Sequence, residues 1–374
     1  MLTLTNSATA DPLLTPLASA PLRLPNRIAM APMTRGRADG DGVPHDLTTA
    51  YYVQRASAGL LISEGLWPHV SGRGGPGVPG IATAAQTEKW RQVTTAVHAA
   101  GGRIYAQLWH VGRLAHPRDL PTGLHPLAPS AIAAPEKVFT ADGWVDAVAP
   151  EALTLDGVDA VIRQYAEAAR NAISAGFDGV ELHSANGYLL HQFLSDNANQ
   201  RTDGYGGSGR TRIVREVVDA LVAAVGADRV AVRFSPGNPD NGLVEADPAT
   251  TYGPLVRDLD RLGLSYLHVI ERGKFASLPA ARSWWSGLLV GNVDGSEPST
   301  PSGGRELLKA GLVDVVAMGR LFIANPDLPL RIATGAPLAT PRSDDFYGSQ
   351  LEGYADHPAI GTGPVVPQLA NVAS

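Results

Sequence analysis

The sequence predicts a single closed (β/α)8 TIM barrel of the α/β class, and three observations carry that expectation. Short apolar, β-branched runs recur along most of the 374-residue chain, with helical patterns between them. These runs are near-continuously hydrophobic, as strands buried on both faces are. Parallel neighbours also need long crossovers, and the helical spacers supply them.

In chain order, strands are expected near Ile28–Ala31, Leu60–Ser63, Ile104–Leu108, Val180–Leu182, Val230–Phe234, Tyr266–Ile270, Leu288–Val290 and Val313–Met318. Two spacers are clearly helical. Val158, Val161, Ile162, Tyr165, Ala169 and Ile173 form one stripe, with Asp159, Arg163, Glu167 and Arg170 opposite. Ile213, Val214, Val217, Val218, Leu221, Val222 and Val225 repeat the pattern after a cap expected at Ser208. The longest interruption, about 110–153, separates strands three and four and is rich in Pro and Ala. It alternates around an Asp142-Gly143 turn, so a β-hairpin subdomain is expected over the barrel or its mouth. A single domain spanning residues 1–374 is expected, with a weakly ordered tail over 361–374.

Bulk properties narrow the function classes. Thirty basic and 36 acidic residues leave a net charge of −6, so no basic patch calls for nucleic acid. The N-terminus lacks a positive region followed by an apolar core, and no apolar window is long enough for a membrane span. A cytoplasmic protein with no membrane partner is expected, as a monomer or small homo-oligomer. Cysteine is absent, which removes a disulfide framework, a thiolate nucleophile and cysteine-ligated metal clusters. His45, His69, His110, His116, His125 and His191 show no metal-ligand spacing.

In a barrel of this kind, chemistry sits where strands hand over to loops. Val180, Glu181 and Leu182 read as a strand end, followed at once by His183, Asn186 and Tyr188. Two hydrogen-bond donors and one phenol can bind a polar oxygen and deliver a proton. His183 alone is equally well a satisfied structural group. Other polar residues fall at comparable places. Thr34 follows strand one, Gln107 and Trp109 end strand three, and Arg233 ends strand five. Asn292 follows strand seven, and Gly319-Arg320 follow strand eight. Singly, each has an ordinary structural explanation; together they converge on one mouth. No G-x-G-x-x-G follows a strand, so the sequence offers no Rossmann site for a pyridine nucleotide.

The run GVELHSANGYLLHQFLSDNANQRTDGYGGS, residues 179–208, resembles the substrate-side signature of the Old Yellow Enzyme family of flavin-dependent ene-reductases. NRIAMAPMTR, QLWHVGR, VRFSP, GLVDVVAMGRLFIANPDLP and FYG…EGYADHP are similar to family segments in family order. The resemblance implies bound FMN, NADPH or NADH as a diffusing electron donor, and a small activated alkene as substrate. It implies that Pro32, Met33 and Thr34 line the flavin edge, with the Thr34 hydroxyl donating to the flavin O4. Gly65 falls among the implied cofactor contacts. Gln107 would meet the pyrimidine edge, and Arg233 would lie near N1 and O2, where negative charge collects on reduction. Gly319, Arg320 and the turn at Asn292 would cradle the phosphate. His183 and Asn186 would hold the substrate oxygen, Tyr188 would protonate the α-carbon, and Trp109 and Tyr354 would wall the pocket.

Two departures from the family pattern stand out. GNVDGSEPSTPSGG after strand seven is a few residues longer and richer in Gly, Ser and Pro. Gly74-Gly75 stand where relatives often place an aromatic, which implies a more open pocket on that side. Two other functions stay open: a flavin-dependent isomerase or reductase of one biosynthetic intermediate, and a flavin-free barrel lyase or hydrolase. A yellow colour separates the second from the ene-reductase. Tyr188 counts against the first, because a changed proton path is expected to lose the phenol.

Overall fold

The computed structural model describes residues 11–18, 22–293, 299–347 and 352–360. Eight parallel strands close a barrel: β1 Ile28–Met30, β2 Leu60–Leu66, β3 Ile104–Leu108, β4 Gly179–Ser184, β5 Val230–Phe234, β6 Tyr266–Glu271, β7 Leu289–Val293 and β8 Val315–Met318. Each strand pairs with its neighbours in sequence, and β8 returns to β1 through Val316↔Ile28 and Met318↔Met30.

Three strands run two or three residues past the ends expected from the sequence. β4 runs through Ser184, so His183 lies inside the ladder, directly opposite Arg233 of β5. β7 reaches Val293, so Asn292 is a strand residue paired with Ile270 rather than part of a following turn. β2 extends past Ser63 to Leu66, with a register shift against β3 between Ile62 and Gly65. Such a bulge re-aims side chains; here the Glu64 carboxylate accepts from the Arg35 N–H at 3.2 Å.

The two-residue period of a strand explains how the interior is filled. Ala29, Leu60, Ile62, Tyr105, Ala231, Tyr266, Val290 and Val315 form an apolar cluster towards the strand starts. Two residues further along their strands, Tyr105, Ala231, Tyr266 and Val290 give way to Gln107, Arg233, His268 and Asn292, all buried. Glu181 and His183 of β4 share this parity. The lower barrel is oily and the upper barrel polar.

The helix Leu155–Ser174 buries Val158, Val161, Tyr165 and Ala169, with Thr154 capping its start by accepting from the Gly157 N–H. The helix Arg212–Val225 buries Ile213, Val214, Val217, Val218 and Leu221. Ser208 does not cap it. A separate 3-10 turn, Gly207–Gly209, intervenes where Gly207 takes a φ of +52°, and the helix starts after Thr211.

Between β3 and β4, Lys137–Thr140 pairs antiparallel with Gly143–Asp146. The connecting residues are Ala141 and Asp142, one position earlier than the sequence suggests, because Gly143 (φ +99°) already pairs with Thr140. Among the described residues no helix is long and apolar enough to cross a membrane, and no cluster of His, Cys, Asp or Glu could hold a metal ion. Residues 294–298 of the Gly/Ser/Pro-rich stretch and the expected weakly ordered tail lie outside the described residues.

Candidate active site

The polar upper barrel is built around a carboxylate that sequence reading passed over. Glu181 is fully buried and accepts from Gln107 Nε2 at 2.8 Å, Tyr266 Oη at 3.0 Å and His268 Nδ1 at 2.9 Å. Burial pushes its carboxyl pKa up, but His268, Arg233 and Gln107 outweigh that and hold it below the usual range. Burial also holds His268 below its usual value despite Glu181. The consistent state is an ionised Glu181 and a neutral His268 donating through Nδ1. The signal for Glu181 was available: it precedes His183 by two residues on one strand, so both face inward.

This network fixes what Gln107 and Arg233 present. Because Gln107 Nε2 is committed to Glu181, its Oε1 is left to accept a hydrogen bond. Arg233 is 5% exposed and donates to Asn292 Oδ1 at 3.0 Å. Asn292 Nδ2 in turn donates to the Ala317 carbonyl at 3.2 Å, which ties β7 to β8. Asn292 is thus held as a partner of Arg233 inside the barrel. At the rim, a Cβ on Gly319 would stand 3.3 Å from Met33 Sδ, so the loops after β1 and β8 touch there. Pro32, Met33 and Thr34 are half-buried, and Arg320 is exposed at the start of the short helix Arg320–Ala324.

On the other side of the mouth, three rings cluster. His183 and Tyr188 meet edge-on with centroids 5.0 Å apart, and Trp109 meets Tyr188 edge-on at 4.8 Å. The Ala185 N–H donates to His183 Nδ1 at 3.2 Å, which leaves the neutral ring's proton on Nε2. Burial, aided by the Arg233 charge, holds the imidazole well below its usual pKa, so the ring stays neutral. Burial raises the Tyr188 phenol above its ordinary value, with Tyr347 adding to the rise. Asn186 adopts a φ of +54°, unusual for a non-glycine residue, and is held by the loop after β5.

Trp109 sits in a slot made by two missing side chains. A Cβ on Gly65 would come within 2.4 Å of the indole, and one on Gly74 within 2.9 Å. Gly65 is therefore the flat seat of Trp109. The openness expected from Gly74-Gly75 is offset, because the indole fills the space over Gly74.

Tyr354 is not a pocket wall. It is fully buried, stacks on Tyr51 at 4.4 Å, bonds to Thr48 and lies under the Arg37 guanidinium. In the same segment Tyr347 is 66% exposed and adds to the rise of the Tyr188 phenol pKa. Its signal was the FYG segment, seven residues before Tyr354 in sequence. Arg35 holds that segment by donating to the carbonyls of Asp345, Phe346 and Gly353.

A buried cation, an amide acceptor beside it and a small-residue rim suit an electron-accepting heterocycle with N–H and C=O edges. Comparison with known proteins agrees. Residues 12–339 match the family described as NADH:flavin oxidoreductase / NADH oxidase. The chain belongs to the Old Yellow Enzyme family. It is accordingly an NAD(P)H-dependent flavin oxidoreductase whose cofactor is FMN, and the flavin-free alternatives fall away. Among other members of the family, flavin oxidoreductase hxnT of Emericella nidulans is 41% identical, with 93% of this chain and 97% of that protein covered. Morphinone reductase in complex with tetrahydroNAD is 42% identical with a TM-score of 0.88, covering 93% and 97% of the two chains. The old yellow enzyme homologue from Zymomonas mobilis is 40% identical, also with a TM-score of 0.88, covering 92% and 99%.

Proposed function

We propose that this protein reduces activated C=C bonds, in enones, enals and nitroalkenes, with NADPH or NADH as the electron source. One observation carries the reading: the neutral His183, the Tyr188 phenol and the Trp109 indole cluster at the barrel mouth, with Asn186 on the turn between His183 and Tyr188. Bound FMN would supply the two-electron chemistry that links nicotinamide to alkene. Gln107 and Arg233 would hold its pyrimidine side, Pro32, Met33 and Thr34 its edge, and Gly319 and Arg320 its phosphate. Gly65 and Asn292 would support this set through Trp109 and Arg233.

His183 Nε2–H and the Asn186 amide would donate to the carbonyl or nitro oxygen. They stabilise the negative charge that grows there as the alkene is reduced. Tyr188 would hold a proton for the α-carbon. Its raised pKa keeps the O–H form in place throughout the working pH range. With no separate dinucleotide fold among the described residues, nucleotide and alkene would use one mouth in turn, giving ping-pong kinetics. The likeness to morphinone reductase bound to tetrahydroNAD supports that sharing. The reading takes the protein to be cytoplasmic.

The test is anaerobic stopped-flow on the yellow protein: bleaching by NADPH or NADH, then return of colour on mixing with cyclohexenone. Heat release should yield FMN. Reduced protein that no enone or nitroalkene reoxidises faster than buffer does would refute the reading.

A further inference from the structure

We propose that Asn238 is a positioning residue that sets which end of the Asn186 amide faces the substrate. The inference rests on the alkene-reductase reading above and concerns a residue in the loop after β5. Asn238 is 1% exposed, so its polar atoms must find partners within the protein. The backbone N–H of Asp240 donates to Asn238 Oδ1 at 3.0 Å. A backbone N–H cannot accept, so this end of Asn238 must be its oxygen. Its Nδ2 then points the other way, donating to Asn186 Oδ1 at 3.0 Å and to the Asp240 carboxylate at 3.2 Å.

The consequence passes to Asn186. Its N–H donates to Ser235 Oγ at 2.9 Å, its carbonyl accepts from Asn241 Nδ2 at 2.7 Å, and its Oδ1 is taken by Asn238. Only the Nδ2 donor remains for a ligand. Turned over, the same amide would offer a carbonyl to the substrate oxygen, and two acceptors repel. A side-chain amide is nearly symmetric in shape, so packing alone does not choose between the two orientations. The hydrogen-bond chain from Asp240 through Asn238 makes the choice. Asp240 is itself paired with Arg272 at 3.0 Å, which holds its carboxylate in place.

The experiment uses the FMN-loaded protein and para-chlorophenol, whose phenolate over oxidised flavin gives a long-wavelength absorbance. Asn238→Asp replaces the donor towards Asn186 with an acceptor and should turn the Asn186 amide over. Phenol affinity should fall about tenfold or more at pH 8, the scale of a lost hydrogen bond to a charged oxygen. Asn238→Ala only frees the amide and should lose less. Burial and the Asp240 carboxylate beside it raise the new carboxyl's pKa, so acidification towards pH 5 returns its proton, lets it donate again and should narrow the gap to wild type. The charged and titratable groups around it are Asp240 with Arg272, Glu245 on the Gly237 N–H, and His191 on the Gly187 N–H. A merely misfolded loop would show no such recovery. The proposal is overturned if Asn238→Asp binds phenol as wild type does, if Asn238→Ala loses more, or if the loss is independent of pH. A wild-type protein that binds no phenol overturns the alkene-reductase reading first, and this inference with it.

Discussion

Tyr188 and His183 do different work, and the half-reactions separate them. Tyr188→Phe keeps the ring against Trp109 and His183 but removes the O–H. Flavin reduction by the nucleotide should be nearly unchanged, while reoxidation by an enone should slow by the ~10²–10⁴-fold typical of a lost general acid. A strongly activated nitroalkene should suffer less, since its nitronate takes a proton from water after release. Equal slowing of both halves in stopped-flow would mean that Tyr188 only holds the site together. His183→Ala should weaken para-substituted phenol binding and the accompanying long-wavelength band. His183→Asn keeps an N–H donor and should retain more of both; equal loss in the two variants would contradict the Nε2–H assignment. These residues were legible in the sequence because they are contiguous with a strand end. Tyr347 was legible only as part of the FYG segment; its place follows from Arg35 gripping three carbonyls more than 300 residues away, which local sequence does not record.

Among the elements, the strands were read where their sequences are apolar and cut short where they are not. β4 and β7 continue through His183 and Asn292 because the ladder with β5 and β6 continues, whatever the side chains. Hydrophobicity reports the oily half of a barrel strand, and the catalytic half is polar for that reason. β2 adds the seat of Trp109. Gly65→Ala places a methyl against the indole, and overpacking of this kind costs about 1–3 kcal/mol. In a Trp109→Ala background the clash has no partner, so the same change should cost much less. Urea unfolding of the four proteins in this double-mutant cycle measures the coupling, and additive effects would show that Gly65 is needed for its own backbone. Turnover should favour small enones over bulky ones in Gly65→Ala, because the new methyl pushes the indole away from its seat and towards the mouth.

For the molecule as a whole, ligand and proton both enter the folding balance. Saturating FMN should raise the melting temperature by mass action, with about 2.7 kcal/mol of stabilisation at 100 times its dissociation constant. Arg320→Ala should reduce that gain by weakening phosphate contact, by roughly 1.5–3 kcal/mol if the contact is charge-assisted. An unaltered FMN dissociation constant would place the Arg320 partner elsewhere. Glu64 gives the pH term. Burial pushes its carboxyl up to about 7, against the Arg35 N–H and charge; the unfolded chain's value is about 4.3. The folded state therefore holds this proton more tightly. The contribution is fully present below the unfolded value and is lost as pH rises through 7. Glu64→Gln should gain in urea midpoint relative to wild type between pH 5 and pH 8, and a difference that stays constant would contradict the assignment. The closure of β8 onto β1 has a consequence for how the protein is made. The Ile28–Met30 strand is among the first to be translated, yet its second partner is Val315–Met318. Until β8 emerges the nascent barrel is a sheet with an open edge, the form most prone to pair with a neighbour on the same polysome. The gap is sealed only after the other seven strands have been made.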